Sequence, residues 1–274
     1  KVDQKLSVRH SDAVSKNTSG KKFEKMLSEV SLESGIQFKH QQKDIIDFNV
    51  QRTIPHKFSQ FGPVLTVGDI TNDGLDDLYV GGSTGLEGQF FIQTSNGKFV
   101  PGQKIKGSDE FTEESSALLF DFDNDGDLDL CLAKGGFEQP EGTSYQPNLY
   151  INDKGKFVQS SGLLPEINTS ISCVRSVDFD KDGDLDLFIG SRVIPGNYPL
   201  PPRSYVLKNE NGRYIDVTEE VCPDLMKAGL ITDALWSDYD NDGTPDLIVT
   251  GELMPITIFK NTDGKLTRVK SELD

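Results

Sequence analysis

Four times along the chain a short apolar run leads into a cluster of aspartates, leaves it on a second apolar run and stops near a glycine. The outgoing runs are Leu78-Tyr-Val80, Leu130-Cys-Leu132, Leu187-Phe-Ile189 and Leu247-Ile-Val249, with Gly81, Gly135, Gly190 and Gly251 behind them. Short runs rich in β-branched and aromatic residues and bounded by turn residues predict strands. A third run follows in each unit: Phe90–Gln93, Asn148–Ile151, Ser204–Leu207 and Ile256–Phe259. Next comes a turn with Asn96-Gly97, Lys154-Gly155, Asn211-Gly212 or Asp263-Gly264, and a fourth run carrying Phe99, Phe157, Tyr214 or Leu266. Asn-Gly and Asp-Gly between apolar runs are strong hairpin signals. Each unit therefore reads as four antiparallel strands, the plan of a β-propeller blade. The expected fold is all-β, with blades at about 63–112, 113–170, 171–230 and 231–274.

Residues 1–62 precede the blades. Phe23, Met26, Leu27 and Val30 recur at helical spacing, with Thr18 or Ser19 placed to cap and Gly35 to stop; this predicts a short amphipathic helix. Residues 36–62, which include His40 and His56, read as an irregular lead-in expected to pack on the first blade.

The aspartate clusters form one nonapeptide in four copies, Asp69–Asp77, Asp121–Asp129, Asp178–Asp186 and Asp238–Asp246, whose starts lie 52, 57 and 60 residues apart. Such regular recurrence marks a repeat architecture. The copies hold 18 of the 44 acidic residues of a chain whose formal charge is -16. Oxygen donors at positions 1, 3 and 5, a glycine at 6, a main-chain carbonyl at 7 and a closing carboxylate suit a hard cation, above all calcium. The predicted ligands are Asp69, Thr71, Asp73, Leu75 and Asp77; Asp121, Asp123, Asp125, Asp127 and Asp129; Asp178, Asp180, Asp182, Asp184 and Asp186; and Asp238, Asp240, Asp242, Thr244 and Asp246. Up to four Ca²⁺ are expected, most weakly in the first loop, where Thr71 replaces a carboxylate. An EF-hand is excluded, because position 12 is Val80, Leu132, Ile189 or Val249 instead of a bidentate glutamate, and strands flank the loop in place of helices.

These loops, followed by Leu-x-Val-Gly-Gly-like strands, resemble FG-GAP/VCBS repeats, the calcium-binding blades also found in integrin α-chain heads. The phrases Asp44–Phe48, Gln51–Lys57, Ser59–Pro63, Pro195–Pro199, Pro202–Tyr205 and Gly251–Pro255 resemble the bacterial envelope proteins of the ASPIC/UnbV and cartilage-acidic-protein set. The resemblance spans about residues 34–270 and implies a propeller of about seven blades, of which this chain carries four.

Composition narrows the functional classes. The strong negative charge disfavours nucleic acid and anionic lipid, and no apolar run approaches the roughly 18 residues of a membrane-spanning helix. Cys131, Cys173 and Cys222 form no CxxC pair and are expected as buried thiols. No GxSxG, HExxH or phosphate-binding glycine loop occurs, so the chain is expected not to be an enzyme. Long connections, 133–147 and 192–203, are expected on the face opposite the aspartate loops, where Glu138, Tyr145, Arg192, Tyr198 and Arg203 are the candidate ligand contacts. The expectation is a calcium-stabilised scaffold that binds a protein or glycan at the cell envelope or outside the cell. Alternatives are a lectin or polysaccharide lyase on the same blades, or an accessory subunit of an outer-membrane assembly.

Overall fold

The computed structural model describes residues 27–60, 62–107, 112–137, 139 and 145–270. Four sheets of four antiparallel strands follow one another. The first contains β1 (Leu65–Gly68), β2 (Asp77–Val80), β3 (Gly88–Gln93) and β4 (Phe99–Ile105). The second contains β5 (Glu113–Phe120), β6 (Asp129–Gly135), β7 (Asn148–Asp153) and β8 (Lys156–Ser160). The third contains β9 (Ser170–Val177), β10 (Asp186–Val193), β11 (Tyr205–Asn209) and β12 (Tyr214–Asp216). The fourth contains β13 (Leu230–Ser237), β14 (Asp246–Glu252), β15 (Thr257–Thr262) and β16 (Lys265–Arg268). First strands of successive sheets pack on one another, β1 on β5, β5 on β9 and β9 on β13. The sheets are thus blades arranged around an axis, with β1, β5, β9 and β13 innermost.

The core consists of layers between blades. Tyr79 and Phe90 meet Leu130 and Tyr150 between blades 1 and 2. Phe122 and Leu149 meet Leu187 and Tyr214 between blades 2 and 3, and Phe179 and Phe188 meet Leu247 and Phe259 between blades 3 and 4. A second strand flanked on both faces cannot alternate with polar residues, which explains the unbroken burial of β6. All three cysteines are free and buried, as the sequence suggests.

A polar clamp repeats across these layers. Asn152, Asn209 and Asn261, at the ends of third strands, donate from Nδ2 to the main-chain carbonyls of Ile70, Phe122 and Phe179 in the preceding blade, at 2.9, 3.3 and 2.7 Å. Each Oδ1 accepts from the hairpin glycine of its own blade, Gly155, Gly212 or Gly264. Blade 1 carries Gln93 at this place.

The outer faces of the end blades differ from these layers. On blade 4, Leu235 and Tyr239 are exposed and Ile248 and Ile258 half-buried, whereas Phe179, Phe188 and Val206, the blade 3 counterparts of Tyr239, Ile248 and Ile258, are buried. On blade 1, Leu65 and Val67 are exposed, but Phe91 is covered edge-on by Phe38 at 6.3 Å.

The N-terminal part departs from expectation in two respects. The helix is a single turn, α1 (Ser31–Ser34), ended by Gly35 in the left-handed region; Leu27 and Val30 lie outside it and are exposed, while Phe23 and Met26 fall outside the described residues. One turn holds too few apolar residues to anchor a helix without tertiary packing. The lead-in does more than pack on blade 1. After Phe38 it crosses the face opposite the aspartate loops. Gln42 Nε2 bonds the Ser59 carbonyl and Glu113, Gln51 exchanges two amide bonds with the backbone of Tyr198 at 2.7 and 2.9 Å, and His56 Nε2 lies 3.3 Å from Glu252 of blade 4. Buried Asp47 folds the segment into a hook by accepting from the N–H groups of Phe58 and Ser59 and from Ser59 Oγ. At its tip Phe58, 1% exposed, packs with Ile54, Phe137 and Val193.

Candidate metal centre

The four aspartate loops join first to second strands at one end of the blades. Each folds by the same local chemistry. The position 1 carboxylate accepts the N–H groups of positions 5 and 6: in loop 2, Asp125 N–H at 3.2 Å and Gly126 N–H at 3.1 Å reach Asp121. The position 5 carboxylate accepts the N–H of position 7, as in Asp127 to Asp125 at 2.9 Å. Positions 4 and 6 are left-handed, with φ of 59° at Asn124 and 92° at Gly126, so an asparagine and a glycine there reduce strain. The position 9 carboxylates are buried at the foot of the second strand. In loop 2, Asp129 accepts from the N–H groups of Phe122 and Asn152, at 2.9 and 2.8 Å.

This folding gathers three triads, Asp121/Asp123/Asp129, Asp178/Asp180/Asp186 and Asp238/Asp240/Asp246, each with a ligand oxygen from every member within 4.8 Å of the others. These are positions 1, 3 and 9 of loops 2, 3 and 4. Loop 1 has no such triad, because its position 3 is Thr71. Asp125, Asp182 and Asp242 at position 5 are tied to the loop backbone through one oxygen. Asp127, Asp184 and Thr244 stand at position 7 and Asp73 and Leu75 at positions 5 and 7 of loop 1.

Two observations test the fit to a cation. Burial pushes the Asp129 carboxyl up to about 6 and that of Asp186 up to about 7, with neighbouring aspartates adding repulsion; a divalent ion among them reverses that penalty. Asp180 Oδ1 and Thr71 Oγ1, both at position 3, are buried atoms with no hydrogen-bond partner. An all-oxygen set with such orphaned atoms fits a hard cation. Loops 3 and 4 already contain a cationic group, since Lys208 Nζ bonds Asp180 and Lys260 Nζ bonds Asp240. Hydrogen bonds to these aspartates raise both lysines above the ordinary range. Sequence reasoning missed them, as it missed the asparagine clamps that brace the loops from the following blade.

On the opposite face the candidate contact residues hold the structure together. Tyr145 is buried and its hydroxyl donates to the Gln139 carbonyl at 3.0 Å. Arg192 pairs with Glu252 and lies 5.2 Å from the centre of the Phe58 ring, and Tyr198 packs on the same ring at 5.5 Å. Arg203 bonds Asp216 and covers the Tyr205 ring. Glu138 lies outside the described residues.

Buried Glu114, between blades 1 and 2, accepts from Tyr79 Oη at 2.8 Å and Gly82 N–H at 3.0 Å. Burial nevertheless pushes its carboxyl up to about 7. The folded protein therefore holds this proton where the unfolded chain, with an ordinary value near 4.5, has lost it. Its contribution to stability falls as pH rises from about 4.5 to 7. Glu114→Gln keeps the acceptor and removes the charge. Urea unfolding in chelator is expected to show a gain on the order of 3 kcal/mol at pH 8 and little change at pH 4; equal gains at both would refute the assignment.

With this geometry established, similarity can be placed beside it. Residues 69–132 and 121–189 match the FG-GAP-like repeat, covering loops 1 to 3. No curated protein matches the chain. An Agrocybe aegerita lectin, described for specific recognition of non-reducing terminal N-acetylglucosamine, aligns over 76% of this chain at 20% identity and TM-score 0.48. BBS1N in complex with ARL6DN aligns over 80% at 12% identity and TM-score 0.45. This chain spans 52% of the first of those chains and 59% of the second. FG-GAP-like repeats thus lie within an all-β array of four four-stranded propeller blades.

Proposed function

We propose that the protein is a calcium-stabilised propeller scaffold that binds a protein or glycan partner at the cell envelope or outside the cell, without catalysis of its own. The observation that carries this reading is the set of three carboxylate triads, built by loops that share one hydrogen-bond pattern. Calcium bound there would cross-link the start of each second strand to the loop before it. The residues would be Asp121, Asp123, Asp125 and Asp129 in loop 2 and their counterparts in loops 3 and 4, with the position 7 carbonyls completing the set. Calcium near millimolar concentration outside cells suits loops of modest affinity, which supports an envelope or extracellular setting. The phrases resembling ASPIC/UnbV proteins point the same way, toward part of an outer-membrane assembly. Arg192, Arg203, Tyr145 and Tyr198 are engaged in packing and ion pairs, which supports recognition by assembled surfaces over chemistry by single side chains. Native mass spectrometry at saturating calcium tests the central claim. At least three bound ions are expected, and fewer overturn it.

A further inference from the structure

The third strands align on the residue whose main-chain N–H reaches the buried position 9 aspartate: Gln93, Asn152, Asn209 and Asn261. The residue just before is Ile92 in blade 1, Ile151 in blade 2, Lys208 in blade 3 and Lys260 in blade 4. Ile92 and Ile151 pack into the layers between blades. The two lysines instead turn into their own loops. Lys208 Nζ bonds Asp180 Oδ2 and stands 3.1 Å from Asp182 Oδ2; Lys260 Nζ bonds Asp240 Oδ2 and stands 3.1 Å from Asp242 Oδ2. Among the described residues, the position 3 and position 5 groups of loops 1 and 2 have no salt-bridge partner of this kind.

Positions 3 and 5 are the carboxylates a calcium ion would draw on. One ammonium bridging them offsets part of the repulsion that would otherwise open the loop. An ammonium and a divalent ion cannot share the pair, because like charges about 4 Å apart repel strongly even at a surface. Asp180 Oδ1 remains without a partner while Oδ2 holds Lys208, so the lysine satisfies the donor set only in part. A metal entering loop 3 must therefore displace the lysine, whereas one entering loop 2 displaces nothing.

We infer that Lys208 and Lys260 are built-in counter-cations that hold loops 3 and 4 together without metal and make them fill with calcium after loop 2. The inference rests on the calcium reading above. It has two faces of opposite sign, since whatever stabilises the metal-free loop opposes the metal by the same factor.

The test compares Lys208→Met, Lys260→Met and the wild-type chain by thermal melting in chelator and in millimolar calcium, with ions counted by native mass spectrometry across a calcium titration. Lys265→Met, which removes a positive charge paired with Glu220 away from the loops, is the control. Each loop-lysine variant is expected to melt lower than wild type in chelator, and to fill one ion at calcium about tenfold lower or less. Ile151→Lys is expected to do the reverse in loop 2, delaying the first ion. Equal losses with and without calcium, with no change in the filling order, would overturn the inference and leave the lysines as ordinary stabilising residues. If no variant takes up calcium while the losses in chelator persist, the calcium reading falls and takes the filling order with it. The intact losses distinguish that result from failure of the lysine contacts themselves.

Discussion

In excess chelator the protein is expected to melt far below its temperature in millimolar calcium. A ligand that binds only the folded state stabilises by about 2.7 kcal/mol per site at a hundred times its Kd. For a chain of this size each such site is worth about 5 to 10 °C in melting temperature. The loss has a structural source. Without a cation, Asp129 and Asp186 sit buried beside carboxylates that repel them, in loops whose hydrogen bonds leave Asp180 Oδ1 unpartnered. The same logic ranks substitutions in calcium. Asp125→Ala and Asp182→Ala each remove a position 5 ligand together with the bond from the position 7 N–H. Asp76→Ala, at position 8 and exposed, is expected to matter little. Calorimetric scans that coincide with and without chelator would sink the metal reading and leave the loops as hydrogen-bonded turns.

The second large effect is expected at a residue far from any aspartate. Phe58 is 1% exposed, stacked on Phe137 at 5.4 Å, touched by Tyr198 and covered by Arg192. Truncating a buried phenylalanine typically costs about 3 to 5 kcal/mol. Phe58→Ala is expected to fall in that range by urea unfolding, and to expose the hook 47–59 to proteolysis. Phe48→Ala, 40% exposed on the same segment, serves as the contrast and is expected to cost less than about 1 kcal/mol. A loss at Phe58 no larger than at Phe48 would mean that the segment does not hold the blades together.

These two sites show what the sequence could and could not reveal. The blades were legible because strand, aspartate loop, strand and hairpin recur with their punctuation intact, and each repeat confirms the others. The triads were legible for the same reason, down to the carboxylate missing from loop 1 at Thr71, because ligand spacing is local. The hook was not. Ile54 and Phe58 are isolated apolar residues in a stretch without period, and their partners, Phe137 and Val193, lie on loops of other blades. Lys208 and Lys260 enter loops 28 and 20 residues earlier in the chain, beyond any local pattern. The clamp asparagines precede hairpin glycines, where asparagine reads as a turn former; that reading is true of Oδ1 and silent about Nδ2. On the opposite face, tyrosines and arginines chosen as recognition residues are engaged by neighbours the sequence does not place beside them.

The clamps also give the array a direction of communication. Each reaches backward, from the third strand of one blade to the position 2 carbonyl of the loop before it, and the N–H of that same position 2 residue is held by the position 9 carboxylate. An ion bound in loop 2 would thereby steady Phe122, and with it the acceptor on which Asn209 of blade 3 depends. Occupancy in one loop would then be felt as a nearest-neighbour term by the blade that follows, in the manner of a one-dimensional chain of coupled units. Neighbouring blades are then expected to open as coupled steps instead of independently, and hydrogen exchange followed blade by blade would show protection in blade 3 falling when loop 2 alone is altered.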